Sequence, residues 1–469
     1  MKTFNFLLAC FISVSSIAQT VQEKIAAAIN IVERDEQFAH ASIGFFIINS
    51  KSGEIVFDKN GQTGLAPAST QKIVTSAAAY ELLGKDFVYK TSFGYDAVIS
   101  KNILKGNLII TASGDPTLGS WRWKNTGKDS IFSAIATAFK QKDVKVINGT
   151  IALNTYAWES QATPNGWIWE DVGNYYGAGA YVLNWHENSY SLELKPGKNI
   201  DDSVKLLKTE PEIPIVQFIN ELKTAKVGSG DNSVIYLPER GEVGFLRGTI
   251  PAGTEKFTIK GSMPIPESVF INEMKAGLLK SGVVLNSKLD SYIGRAKFKP
   301  TILKTEAPLI TINSPSLDSM NYWFMKESIN LYGEAFIKSI AQQRTGFGAT
   351  VAGLDMVKEL WKSKGIEPAE LKIKDGSGLS PANRLTPHAL VKILQYASKQ
   401  SWFGSFYHSL PLQNNIKMKS GYIGGVRSYA GYIKSKAGEE YTFAFIINNF
   451  DGSPTAVREK MWKILDIMK

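Results

Sequence analysis

Apolar residues recur along this chain in two rhythms, one helical and one alternating, and the switches between them mark out its elements. Val21 to Phe38 has helical spacing, and Ser42–Ile48 with Glu54–Phe57 then reads as a hairpin about Lys51-Ser52-Gly53. Helical composition returns over Ile73–Leu83, with Gly84 as its stop and with Pro67 and Ala68 ahead of Ser69. Near the other end, Gly421–Ile433 and Tyr441–Asn448 read as two strands joined at Lys436-Ala437-Gly438-Glu439. A last helix runs from about Pro454 to Met468 and carries Val457, Met461, Trp462, Ile464, Leu465 and Ile467. These two ends predict one antiparallel sheet with helices packed on it, shared between residues 19–90 and 300–469.

The middle reads differently. From about Lys90 to Pro300 the chain is rich in short strands, glycines and turns, as in Asn107–Thr111 and Lys256–Ile259, with helical pieces at Ile131–Lys140 and Pro214–Ala225. A stretch of this length is expected to be folded domains and not a loop. The fold class is therefore α+β, with residues 91–299 as a mostly-β insertion.

Composition narrows the setting. In 469 residues, 44% hydrophobic and 11% aromatic content is enough for real cores. Met1-Lys2, the apolar run Phe4–Ile12 and the small residues around Ser16-Ile17-Ala18 read as a signal peptide cut after Ala18. Cys10 is the only cysteine and would leave with it, so neither a disulfide nor thiol chemistry is expected. A formal charge of +10 favours anionic surroundings such as cell-wall polymer, free carboxylates or membrane head groups. Export, and the lack of any finger or helix-turn-helix pattern, argue against nucleic acid as a partner. His40, His186, His388 and His408 are scattered without metal-ligand spacing, so the expected chemistry needs no metal or cofactor.

Three short polar clusters carry candidate chemistry. Ser69-Thr70-Gln71-Lys72 places a hydroxyl and an amine three residues apart at a helix start, where they share a face. A neutral amine beside a hydroxyl is a general base beside a nucleophile. Ser319-Met320-Asn321 follows the turn-rich Asn313–Asp318, just before a helix expected from about Tyr322 to Ile340. Lys419-Ser420-Gly421 opens the strand-like run that continues through Tyr422. The ordered set Ser-x-x-Lys, Ser-x-Asn, Lys-[Ser/Thr]-Gly is the signature of penicillin-binding proteins and serine β-lactamases.

With these residues in view, the chain resembles the class C penicillin-binding proteins, the DacB-like D-alanyl-D-alanine carboxypeptidase/endopeptidase family. Further likenesses are Ser113–Leu118, Trp169–Ala178, Asp375–Ser380 and Asn383–Thr386, together with the long insertion itself. In that family the penicillin-binding domain is interrupted by a second domain, itself interrupted by a third. Ser420 stands where the family more often has threonine, which keeps the hydroxyl and loses a methyl group.

The resemblance implies roles. Ser69 attacks a peptide carbonyl with Lys72 as base, Ser319 relays a proton to the leaving amine, and Asn321 holds substrate while restraining Lys72. Lys419 and Ser420 bind the substrate carboxylate, and the backbone N–H groups of Ser69 and Tyr422 form the oxyanion hole. Peptidoglycan stem peptides are the implied substrates and β-lactams the implied inhibitors. Asp171 has two readings, a contact to the cationic end of a diamino acid or an ordinary turn aspartate. The aromatic group from Tyr156 to Tyr181 either stacks on sugars or packs an inserted domain. Asp375-Gly376-Ser377-Gly378 is read as tight turns beside the site. A β-lactamase would share the three motifs but lack the insertion, a strict transpeptidase would usually carry a membrane anchor, and a non-catalytic wall-binding protein is a further alternative.

Overall fold

The computed structural model describes residues 19–96, 98–286 and 307–469. The leader read from residues 1–18 and the boundary at residue 300 lie outside the described residues.

A six-stranded antiparallel sheet draws its strands from both ends of the chain. Its order is Ile55–Lys59, Ser42–Asn49, Glu440–Asn448, Val426–Lys434, Ile416–Ile423 and Leu412–Gln413. The central pair is buried on both faces, which is why its strands read as unbroken apolar runs. Side chains alternate across a strand. Phe45, Ile47, Phe443, Phe445 and Ile447 therefore share a core with the helices Val21–Glu33 and Pro454–Leu465, while Phe46, Ile48, Ala444 and Ile446 face the opposite core. There the Pro387–Ala397 helix covers the sheet and the Lys72–Leu82 helix packs against that helix, and every residue from Lys72 to Tyr80 is buried. Phe45 and Phe445 are cross-strand partners with rings stacked 4.2 Å apart, joining the first strand of the chain to the last.

Residues 90–313 build further sheets. Ala307–Asn313 returns to pair antiparallel with Lys90–Tyr95, in a sheet completed by Leu108–Thr111 and Ile151–Asn154. The remaining strands form three small sheets, accompanied by the helices Lys128–Gln141 and Pro266–Lys280.

Three expected elements differ. Pro214–Ala225 is not helical but forms the strands Gln217–Asn220 and Lys223–Ala225, both parallel to Val243–Pro251. Asn220 Oδ1 accepts from the Leu222 amide and makes a side-chain turn that competes with a helix. Gly421–Ile433 is two strands, because the chain reverses at Gly424-Gly425 and Gly425 adopts φ +70°. The expected Tyr322–Ile340 helix is likewise two, Leu317–Lys326 and Asn330–Thr345, broken where Ser328 takes φ +57°.

Phe445→Ala removes one ring of the central stack from a closed core. It is expected to cost about 3–5 kcal/mol of unfolding free energy, measured by urea denaturation.

Candidate active site

Ser69 sits in a single 3₁₀ turn, Ala68–Gln71, that runs directly into the Lys72–Leu82 helix. Ala68 has φ +46°, a costly conformation for a residue with a side chain, and is fully buried. Its carbonyl lies where a Cβ on Gly378 would be, at 2.0 Å, so the loop beneath the turn requires glycine there. The turn presents Ser69 Oγ 3.1 Å from Lys72 Nζ.

Lys72 is wholly buried, and its Nζ also donates to Asn330 Oδ1 at 2.6 Å and to the Ser377 carbonyl at 2.7 Å. These two partners only accept hydrogen bonds. A neutral amine has two N–H donors and one lone pair, so both donors are occupied and the lone pair is left for the Ser69 hydroxyl proton. Burial pushes the Lys72 amine well below the ordinary lysine value, and the Lys419 cation adds to this, while Asp375 and Glu334 act in the opposite sense. Buried Glu334 accepts from the Gly376 amide at 2.9 Å, and its carboxyl is raised by burial and by the Asp375 charge.

Asp375 braces this centre. Its two carboxylate oxygens accept from Gln71 Nε2, Trp167 Nε1, Asn383 Nδ2 and the amides of Gly378 and Ser380. One buried carboxylate thus ties the residue beside Lys72, the loop that supplies the Ser377 carbonyl, and a tryptophan from the inserted region.

The strand Ile416–Ile423 passes directly over the nucleophile. A Cβ at Gly421 would fall 2.8 Å from the Ser69 nitrogen and 2.6 Å from the Pro67 carbonyl, so only glycine allows the approach. Lys419 is 2% exposed, its Nζ donates to the Ser420 carbonyl at 3.0 Å, and burial pushes the amine down to about 7. Ser420 Oγ accepts from Gln413 Nε2 at 3.0 Å, and Tyr422 is half exposed at the strand end. Gly421 thus brings the third cluster against the Ser69 turn, close enough for the Lys419 charge to act on Lys72.

The second cluster does not join them. Asn321 is buried: its Oδ1 accepts from Ser76 Oγ at 2.7 Å, and its Nδ2 donates to Tyr80 OH and Ser409 Oγ, both at 3.3 Å. Ser319 is exposed, with its hydroxyl 3.1 Å from Ser316 Oγ at the helix start. The reason is helix phase. Leu317, Met320, Asn321 and Phe324 share the core-facing stripe, so Asn321 fastens this helix to the Lys72 helix and does not restrain Lys72 itself.

A second serine-x-asparagine, Ser328-Ile329-Asn330, falls at the break between the two helices and brings Asn330 to Lys72. Asn330 Nδ2 donates to the Tyr176 carbonyl at 2.7 Å, which turns Oδ1 toward the amine. The missed signal is that Asn330, unlike Asn321, sits outside the apolar stripe. Tyr176 belongs to the segment that carries Asp171, whose carboxyl is raised by burial and hydrogen-bonded to the Tyr176 side chain.

Residues 25–467 match the family described as D-Ala-D-Ala carboxypeptidase 3 (S13). The chain is 24% identical to a D-alanyl-D-alanine carboxypeptidase of Actinomadura sp. (strain R39), covering 92% of this chain and 82% of that protein. It is 25% identical to the D-alanyl-D-alanine carboxypeptidase DacB of Haemophilus influenzae, covering 90% and 89%. The crystal structure of penicillin binding protein 4 (DacB) from H. influenzae superposes with a TM-score of 0.76 at 22% identity, over 94% of this chain and 97% of that one. That likeness bears out the α+β penicillin-binding fold expected from the motifs.

Three measurements separate the asparagines and test the lysine. Asn330→Ala is expected to slow acylation of Ser69 by about 10²–10⁴-fold, the range for a misplaced general base, in stopped-flow penicillin binding. Asn321→Ala should instead lower unfolding free energy by about 1–3 kcal/mol, because it strands buried hydroxyls. Lys419 is charged below its value of about 7 and neutral above it. The kcat/KM for a carboxylate-ended peptide should therefore fall as pH rises through neutrality, and Lys419→Arg should move that limb to higher pH.

Proposed function

The chain belongs to the D-Ala-D-Ala carboxypeptidase 3 (S13) family, and on that premise we propose that it cleaves peptidoglycan stem peptides at D-alanyl-D-alanine through an ester on Ser69. The observation that carries this reading is the buried Lys72 amine, with two pure acceptors on its N–H groups and its remaining face toward the Ser69 hydroxyl.

Ser69 Oγ attacks the scissile carbonyl while its proton passes to Lys72. The amide N–H groups of Ser69 and Tyr422 receive the oxyanion, and loss of one such donor costs about 3 kcal/mol of barrier. Collapse breaks the C–N bond, and the leaving amine takes the proton back from Lys72. Water then attacks the ester, giving its proton to Lys72; collapse breaks the ester C–O bond to Ser69 Oγ, which takes that proton from Lys72, and the acid leaves. Lys419, with Ser420 beside it, holds the terminal carboxylate. Asn330 takes the restraining role that the sequence reading gave to Asn321. A β-lactam presents a similar acyl group to Ser69 and is the expected inhibitor.

Several finer statements belong to the same proposal. Residues 19–90 and 300–469 form the peptidase domain around the insertion at 91–299, with the strand Ala307–Asn313 reaching into the inserted sheet beside Lys90–Tyr95. The leader at 1–18 directs export, and the enzyme works in the periplasm. Among the described residues no helix is long and apolar enough to cross a membrane. Asp171, in the segment whose Tyr176 carbonyl holds Asn330, is proposed to meet the cationic end of a diamino acid in the stem peptide, with an ordinary turn aspartate as the other reading.

Incubation with a fluorescent penicillin followed by peptide mass spectrometry should locate a single adduct on Ser69, and a label elsewhere or none would remove the assignment. Digestion of purified muropeptides should release terminal D-alanine. Loss of cross-linked dimers in the same digest would add endopeptidase activity, and their persistence would confine the enzyme to carboxypeptidase work.

A further inference from the structure

A recess of about 520 Å³, within the size range of small-molecule sites, opens between the Leu317–Lys326 and Phe403–Ser409 helices. Its walls are Trp123, Tyr322, Trp323 and His408. We propose that this recess is a saccharide subsite that holds the amino-sugar chain from which the scissile peptide hangs; the inference rests on the peptidase reading for its substrate and on its own geometry for its place.

The rings are fixed before any ligand arrives. Trp323 stands edge-on to Trp123 (86°, 6.5 Å) and to Tyr322 (87°, 5.4 Å). The Arg122 guanidinium lies 5.0 Å from the Trp323 ring centroid, and Arg122 is itself paired with buried Glu187. Trp123 Nε1 donates to the Tyr332 hydroxyl at 3.0 Å, and Tyr322 lies nearly parallel to the His408 ring at 5.3 Å. Arg122 covers part of Trp323, and His408 and Lys326 cover parts of Tyr322, but Trp123, Tyr322 and Trp323 all stay partly exposed toward the recess, and edge-on indoles do not cover each other's faces. Rigid aromatic faces supply contact area at small entropic cost.

The polar lining decides the chemical class. Asp318, Ser319 and Ser405 share the recess with the rings. An apolar partner would desolvate these groups without pairing them. A pyranose matches both features, since its C–H face lies on an indole and its hydroxyls and acetamido groups reach carboxylate and hydroxyl partners at the rim.

Position supplies the second argument. One wall is the Leu317–Lys326 helix, whose Phe324 ring lies 5.7 Å from Lys72 Nζ and whose Asp318 accepts from Tyr80 on the Lys72 helix. The other wall is the Phe403–Ser409 helix, where Lys417 Nζ donates to the His408 and Leu410 carbonyls. Lys417 lies two residues before Lys419 on the strand over Ser69. Both walls are thus anchored to elements that carry the reacting groups, so a sugar chain held here would lead its attached peptide toward Ser69.

The test uses the full chain and tetra-N-acetylchitotetraose, a chain of linked N-acetylglucosamine units, as probe. Calorimetric titration should show saturable binding that Trp323→Ala weakens at least tenfold. Gly404→Trp offers a second route. A Cβ at Gly404 meets nothing within 4 Å, so a side chain fits there, and it should narrow the recess and weaken binding similarly. Absence of binding by the natural protein, or equal affinity in the folded variants, overturns the proposal. So does loss of self-association in Trp323→Ala with sugar binding intact, which would mark the recess as a contact between copies. A kinetic arm compares kcat/KM for a disaccharide-linked pentapeptide with that for the sugar-free peptide. The ratio should fall about tenfold in Trp323→Ala, and an unchanged ratio counts against the subsite. If neither peptide is cleaved and no penicillin label forms, the peptidase reading fails while the calorimetry still decides the recess.

Discussion

The chemistry of this fold depends on burying one lysine amine with partners that suit its uncharged form. Lys72 has no exposed surface, and the carbonyl of Ser377 and the amide oxygen of Asn330 are dipoles, not counter-charges. Desolvation of an ammonium is expensive and drives the amine toward neutrality. The nearby acids moderate this effect without a direct ion pair to Lys72, because Asp375 is occupied by five donors and Glu334 is pushed toward its neutral form. The fold thus lowers a proton affinity through burial and placement.

That placement needs contributions from three parts of the chain. The Ser69 turn and the Lys419 strand belong to the two ends joined in the main sheet, and Gly421 permits their close approach. The loop Asp375–Gly378 supplies the Ser377 carbonyl from beneath. The segment between residues 158 and 176 supplies Trp167 to Asp375 and the Tyr176 carbonyl to Asn330. The inserted region is therefore part of the site's scaffold as well as a neighbour of it.

What could be read beforehand follows the same physics. Strands buried on both faces leave continuous apolar runs, so the central sheet was legible from Ile43–Ile48 and Tyr441–Ile447. Ser69 and Lys72 were legible because three residues along a helix is a local distance. The partner asparagine was not, since two serine-x-asparagine pairs lie nine residues apart and only helix phase separates the core-facing Asn321 from the site-facing Asn330. The Ser377 carbonyl carries no side-chain signature at all. Asp375 was legible as a turn former but not as a brace, because its partners Gln71 and Trp167 come from distant stretches. The Pro214–Ala225 strands escaped because their pairing with Val243–Pro251 outweighs a local pattern that suits a helix.

The two-sided grip on Asn330 has a wider consequence. Its amide faces Lys72 with oxygen because its nitrogen is held by a carbonyl that lies some 150 residues earlier in the chain. Shortening the protein to its two ends would free that amide to rotate and offer the amine a donor in place of an acceptor. A trimmed relative of this fold would have to invent another anchor for the same carboxamide, so the extra architecture and the proton-transfer centre have to change together.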